Sequence, residues 1–190
     1  MIREPDGHSD NELVARSLAG QDRAFAEIVR RHRQALYRIA VVSLGNADDA
    51  LDAVQDAFVA AHAALRRFDG ARPLRPWLAA ITLNRCRDLA RRRRVRRFFA
   101  FALPLDDAAE RIALDAPSAE TAAADREELD RTVKAIADLP PALREPLILH
   151  IVSGLSQSET AQTLEISEKA VETRLRRARR QLRSALAMTE

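Results

Sequence analysis

Hydrophobic positions along the chain recur at three- and four-residue steps, the period that sets one face of an α-helix against a core. Leu13, Val14 and Leu18 open the pattern, and Phe25, Ile28, Val29, Leu36, Ile39 and Ala40 continue it. The spacing predicts helix over 10–40, with Asp10 as N-cap and "AGQD" as a break. Gly45 reads as a helix terminator. Asn46 reads as the next cap, with Asp48 and Asp49 in a first turn that favours negative charge. Leu51, Val54, Phe58, Ala61, Leu65 and Phe68 then form the clearest stripe in the chain, an amphipathic helix over 47–68. "DGARPLRP" is a loop by its glycine and prolines, and a further helix is expected from near Trp77 into "RRRRVRR".

From about 100 to 127 the character changes to prolines, small residues and mostly acidic charges, the composition of an extended or partly disordered tether. A second helical block is expected from near Glu128. "LPPALREPLILHIVSG" reads as Pro-punctuated helix, and Ser156 with Glu159 makes an S-x-x-E capping box before a short helix at 157–163. "LEIS" makes a turn, Ser167 caps again, and the last helix runs to about Leu186. The expected fold is therefore all-α: two small helical domains, 10–97 and 128–188, joined by a flexible acidic linker at 98–127. There is no internal repeat.

Composition supports that class. Of 190 residues, 47% are hydrophobic but only 4% aromatic, so the cores are filled by Ala, Leu and Val, and five glycines with few β-branched runs disfavour a large sheet. The net charge is only +3, so its distribution matters more than its sum. Cations cluster at 91–97 and 174–183, and nearly all are Arg, whose fork suits phosphates and guanine edges. A GC-rich genome would give the same bias. Cys86 is the sole cysteine, so no internal disulfide forms. The N-terminus has no signal-peptide pattern, and no apolar run approaches the roughly 20 residues of a membrane span. The simplest expectation is a soluble, cytoplasmic protein without membrane insertion. His8, His32, His62, His150 and Cys86 have no metal-ligand spacing, and no phosphate loop or nucleophile motif occurs. Neither an enzyme nor a cofactor is expected.

In the last helix Val171, Leu175, Ala178, Leu182 and Ala185 share one face, while Lys169, Thr173, Arg176, Arg180 and Arg183 lie opposite, with Glu172 and Arg177 on the flanks. A short helix, a tight turn and a longer basic amphipathic helix are the parts of a helix-turn-helix, whose second helix reads base edges in the major groove. A solvated Arg-rich surface helix would explain the charges but not the cap, turn and cap before them.

The first domain has two polar faces. Opposite the apolar stripe of 47–68 stand Asp48, Asp52, Gln55, Val59 and His62, with Asp49 and Asp56 beside them. This is either solvated surface or a docking face for a basic partner. In the next helix Trp77, Leu78, Ile81 and Leu89 lie to one side, while Asn84, Arg87, Asp88 and Arg91 face elsewhere. The arginine run is either solvated or steers phosphate, and beside Trp77 it becomes a candidate for unstacked or single-stranded DNA. Trp77 as plain core is the competing reading. Arg85 falls within the apolar stripe and must snorkel or find an acid.

Three stretches, "GNADDALDAVQDAFVAAHAALRRFDG", "RPWLAAITLNRCRDLARRRR" and "LPPALREPLILHIVSGLSQSETAQTLEISEKAVETRLRRARRQLRSAL", occur in this order around the acidic linker. Together they resemble the bacterial sigma-70 superfamily, specifically its small extracytoplasmic-function branch with only regions 2 and 4. The similarity covers roughly 20–95 and 128–187. The resemblance implies an initiation factor without catalytic residues that binds core RNA polymerase through the coiled coil of its largest subunit and through its flap. Asp49, Asp52, Gln55 and Asp56 would belong to the core-binding surface. Trp77, Asn84, Arg87, Asp88, Arg91, Arg92, Arg93 and Arg94 would meet the −10 element of promoter DNA, and Glu168, Lys169, Thr173, Arg176, Arg177 and Arg180 the −35 element. The linker would thread toward the polymerase cleft. An anti-sigma factor commonly holds members of this family. Three positions depart from the family pattern: His62 stands where Trp is frequent, Glu165 where Gly is common in the turn, and Arg85 replaces a usually apolar residue. A stand-alone helix-turn-helix repressor is the competing class, and it would leave the acidic face and the Trp77–Arg94 segment without a role.

Overall fold

Local chemistry sets many of the helix ends. A computed structural model of the chain describes residues 7–100 and 120–187, with side chains described over 7–96 and 127–187. The first helix, α1 (Asp10–Leu18), is capped by Ser9 and not by Asp10. Ser9 Oγ accepts the Glu12 N–H while the Glu12 carboxylate accepts the Ser9 N–H at 2.7 Å, a reciprocal capping box. Asp10 is thereby free to tie α1 down: its Oδ2 lies 2.9 Å from His32 Nε2, and Arg31 reaches both Asp10 and the His8 carbonyl. After the "AGQD" break, α2 (Asp22–Leu44) ends at Gly45 in the left-handed region. A side chain there would also stand 3.2 Å from the Ala137 Cβ, a tight contact that adds to the backbone's preference for glycine. Asn46 accepts the Asp49 N–H and starts α3 (Ala47–Ala64), which tightens into a 3₁₀ turn at Leu65–Arg67.

The next helix, α4 (Leu74–Ala100), starts three residues before Trp77, because Pro76 falls in the first turn, where its missing N–H costs nothing. It continues past the basic run to Ala100, and α5 (Glu120–Ala137) begins eight residues before Glu128. Both ends of the segment read as tether are thus helical, and 101–119 lies outside the described residues. Pro141 opens α6 (Pro141–Leu147), and Pro146 then removes an N–H from its interior. The chain answers by widening into a π-turn at Ile148–Val152, closed by Ser153 N–H on the Ile148 carbonyl at 3.0 Å. The Ser156–Glu159 capping box starts α7 (Gln157–Leu164) as expected. Glu165 follows in the left-handed region at φ 54°, and Ser167 caps α8 (Glu168–Ala187).

The fold is all-α among the described residues. In the first module α2, α3 and α4 pack on one another, with α1 laid across α2. Ile28, Leu36, Ile39, Leu78 and Leu83 lie at its centre. In the second, Val171, Leu175 and Ala178 of α8 close on Leu139, Leu147 and Ala161. The modules also share a core. Ile148, Leu149 and Leu155, from the π-turn and the loop after it, are buried in the same cluster as Leu36 and Ile39. Contacts of α5 and the π-turn with α2, and of α7 with α4, complete the docking.

Candidate polymerase and nucleic-acid interfaces

On α3 the sequence placed Asp49, Asp52, Gln55 and Asp56 on one acidic surface. Asp52, Gln55 and Asp56 are exposed. Asp49 is buried, and its carboxylate contacts the Arg93 guanidinium of α4. From the first turn of α3 it meets α4 instead of solvent, so a residue assigned to the polymerase and one assigned to DNA neutralise each other. Leu51, whose spacing predicts a core position, is instead 58% exposed, and Val59 is 66% exposed. Together they flank a groove of about 1080 Å³ between α2 and α3, floored by Phe25, Val54 and Phe58. His62, at the position where the family often has Trp, closes one end with its ring 4.7 Å from that of Phe25 in edge-to-face contact. The groove went unseen in the sequence, although Leu51, Gln55, Val59 and His62 fall within a quarter-turn of one another and could have signalled an apolar strip inside the acidic face.

The α4 residues assigned to DNA differ in their surroundings. Trp77 is half-buried and packs against Phe68 at 5.1 Å between centroids, so its body belongs to the core margin. Arg91, Arg92 and Arg94 are exposed, whereas Arg93 is committed to Asp49. Arg85 finds its acid: Asp88 bridges Arg85 at 3.6 Å and Arg91 at 3.0 Å. Asn84 and Arg87 are engaged elsewhere. Arg87 Nη1 donates to Asn84 Oδ1 at 2.7 Å, its Nε donates to Glu145 Oε1 at 2.5 Å, and its Nη2 donates to Glu145 Oε2. This two-pronged bond to a buried carboxylate of the second module raises the pKa of the guanidinium further. Next to it Cys86 is buried, and burial pushes its thiol up to about 11, which keeps it protonated and inert.

On α8, Glu168, Lys169, Arg176, Arg177 and Arg180 are exposed and Thr173 is half-buried. Val171 and Leu175 anchor the opposite face, so the cations project away from the module on a rigid helix. Lys169 Nζ donates to Glu172 Oε2 at 2.7 Å, one turn along the same helix. Among the described residues no helix is long and apolar enough to cross a membrane.

A helical bundle with an acidic, grooved face, docked on a helix-turn-helix with a basic face, defines a two-module DNA-recognition protein. Comparison with known proteins gives the family. The model described as "Sigma-70 region 2" matches residues 28–96, and that described as "Sigma-70, region 4" matches 129–182. RNA polymerase sigma factor CnrH of Cupriavidus metallidurans is 44% identical over 181 residues, 94% of each chain. RNA polymerase sigma factor NccH of Alcaligenes xylosoxydans xylosoxydans is 38% identical over 185 residues, 97% of this chain and 98% of the relative. Among solved structures, CnrH in complex with the cytosolic domain of CnrY superposes with a TM-score of 0.71 at 36% identity, covering 95% of this chain and 99% of that one. Sigma factor RpoE in complex with the anti-sigma factor NepR, from Bartonella quintana, gives 0.66 at 25% identity over 87% of this chain and 98% of that one. The chain belongs to the extracytoplasmic-function RNA polymerase sigma factors of the sigma-70 family. Such proteins are in general regulatory DNA-recognition factors, not enzymes, that bind RNA polymerase and direct it to promoters.

Proposed function

We propose that this sigma factor works in the cytoplasm and docks on core polymerase through the α3 face, with the exposed Asp52 and Asp56 beside Gln55 as its polar margin and the Leu51–Val59 groove, edged on α2 by Arg30 and Arg33, as its apolar centre. A mixed surface of this kind suits a basic helical partner such as the coiled coil of the largest subunit, charges setting orientation and apolar area supplying affinity. Asp49 serves that face indirectly, by holding α3 against α4 through Arg93. The α4 surface of Asn84, Arg87, Asp88, Arg91, Arg92 and Arg94, with Trp77 at its head, takes the −10 element. The α8 surface of Glu168, Lys169, Thr173, Arg176, Arg177 and Arg180 takes the −35 element, and the second module meets the polymerase flap. The modules, assigned to 10–97 and 128–188, each bind weakly, and holding both on one polymerase raises their effective concentration on the promoter.

The observation that carries this reading is the exposure of two separate recognition faces, acidic-apolar on α3 and cationic on α8, on modules that match the two sigma regions in order. Two similar sigma factors have been solved with bound proteins, one of them named an anti-sigma factor, and this supports an anti-sigma partner here. Run-off transcription with purified core polymerase and a genomic fragment library tests the function: the chain is expected to confer discrete start sites, and their absence overturns the reading.

A further inference from the structure

The basic recognition helix carries two acids, Glu168 and Glu172, and they have different explanations. Glu168 stands in the first turn of α8, where the helix dipole stabilises negative charge. Glu172 lies one turn further in, beyond the reach of that effect, and it faces outward beside Lys169 and Arg176. Against a phosphate backbone a carboxylate there is repelled. Its side chain is more than half exposed, and its described hydrogen bond is the one Lys169 donates at 2.7 Å. That bond, with the charges of Lys169 and Arg176, holds its carboxyl below the ordinary carboxylate range, so it is ionised at neutral pH. An ionised carboxylate only accepts hydrogen bonds.

We propose that Glu172 and Lys169 act as one unit that reads a single C·G base pair in the −35 element, Glu172 accepting from cytosine N4 and Lys169 donating to guanine. The major-groove edges explain the choice. Cytosine offers a donor without a neighbouring acceptor, whereas adenine sets N7 beside its amino group and would repel the carboxylate. The opposing guanine presents O6 and N7, both acceptors, and the Lys169 ammonium has three donors, enough to serve guanine while keeping Glu172. Lys169 also shields the carboxylate from nearby phosphates. The buried Val171 and Leu175 on the reverse of the helix fix the pair's direction relative to the module.

This inference rests on the assignment of α8 to the −35 element, and the test separates the two. Holoenzyme assembled from the full chain and core polymerase is incubated with promoter duplexes randomised across the −35 element, and bound sequences are counted. The wild type is expected to require C·G at one position. Glu172→Ala is expected to lose roughly tenfold of that discrimination while keeping the others. Glu172→Gln, whose amide pairs with adenine N6 and N7, is expected to shift the preference toward adenine at the same position. Lys169→Ala should weaken binding to all sequences and also relax that position. If both Glu172 variants keep the wild-type profile, or scale every sequence by one factor, the inference is overturned while the −35 assignment stands. If the wild type shows no sequence preference there, both fall.

Discussion

Arg87 of α4 and Glu145 of α6 join the two modules by a two-pronged hydrogen bond, with Glu145 buried and Arg87 about half exposed. The same arginine belongs to the face assigned to the −10 element, so in this arrangement it is not available to DNA. Glu145→Gln keeps the shape but removes the charge. Because Arg87 is half solvated, the loss is modest, about 1 kcal/mol. The expected result is a shift of roughly fivefold toward separated modules. It would be seen as a larger radius of gyration in small-angle scattering and tighter binding of a single-stranded −10 oligonucleotide by the free chain. Unchanged scattering and binding would mean that Ile148, Leu149 and Leu155 alone decide the docking.

The acids of α3 are expected to divide by burial. Asp52→Arg with Asp56→Arg changes only exposed positions, so the variant should keep its melting temperature and lose co-purification with core polymerase. Asp49→Ala should do the reverse. It leaves the Arg93 guanidinium without its carboxylate, and a loss of about 1–2 kcal/mol should lower the melting temperature while docking persists. A double arginine variant that still binds core would remove the docking face from α3.

Legibility in the sequence followed the range of the interaction. Asn46, Gly45, the Ser156–Glu159 box and the strained Glu165 are local devices whose cause lies within a few residues, and each stands where the sequence placed it. The N-cap at Ser9 was missed by one residue because Ser9 and Asp10 are both good caps, and only the contact of Asp10 with His32 decides between them. Asp49 and Leu51 exchanged their expected environments because a helical projection gives a direction but not what stands there: α4 covers one, and among the described residues nothing covers the other. The docking of the modules is a long-range fact. One sign of it was present in "LILHIV", which is apolar on nearly every side and so demands burial beyond its own small module.

Acid should unfold the first module along a path in which Glu27 is prominent. Hydrogen bonds from Arg30 and Arg31 lower its pKa from 4.5 to about 2. A carboxylate depressed in the folded state contributes stability that is fully present above its unfolded pKa and fades as pH falls through the folded one. Glu27→Gln should therefore be less stable than wild type near neutrality, with the gap closing between about pH 4.5 and about pH 2. The capping carboxylates Glu12 and Glu159 are also lowered, chiefly by hydrogen bonds from the Ser9 and Ser156 backbones, and add to the same acid sensitivity. Urea denaturation over a pH series checks it, and a gap that does not narrow in acid would detach Glu27 from stability.

Arg176 and Arg177 are exposed on α8 and are expected to meet promoter DNA directly. Each phosphate contact releases counterions and adds about 0.9 to the slope of log affinity against log salt. Replacing both by Ala should lower the slope for holoenzyme on a −35-containing promoter by up to about 2. A slope that stays put means neither side chain touches phosphate in the bound state.

Glu165 is the clearest site at which stability can be raised. It holds φ 54° and ψ 44°, a left-handed conformation, at the end of α7. Its N–H bonds back to the last turn, so the strain terminates the helix and aims α8. For an L-residue this conformation costs about 1–2 kcal/mol, and glycine adopts it freely. Glycine also loses more entropy on folding, which takes back part of the gain. Glu165→Gly is therefore expected to stabilise the second module by about 0.5–1 kcal/mol, raising the melting temperature by a few degrees. Glu165→Val should lower it, because a β-branched side chain tolerates this region least. If both substitutions move stability in the same direction, the turn is held by something other than backbone conformation.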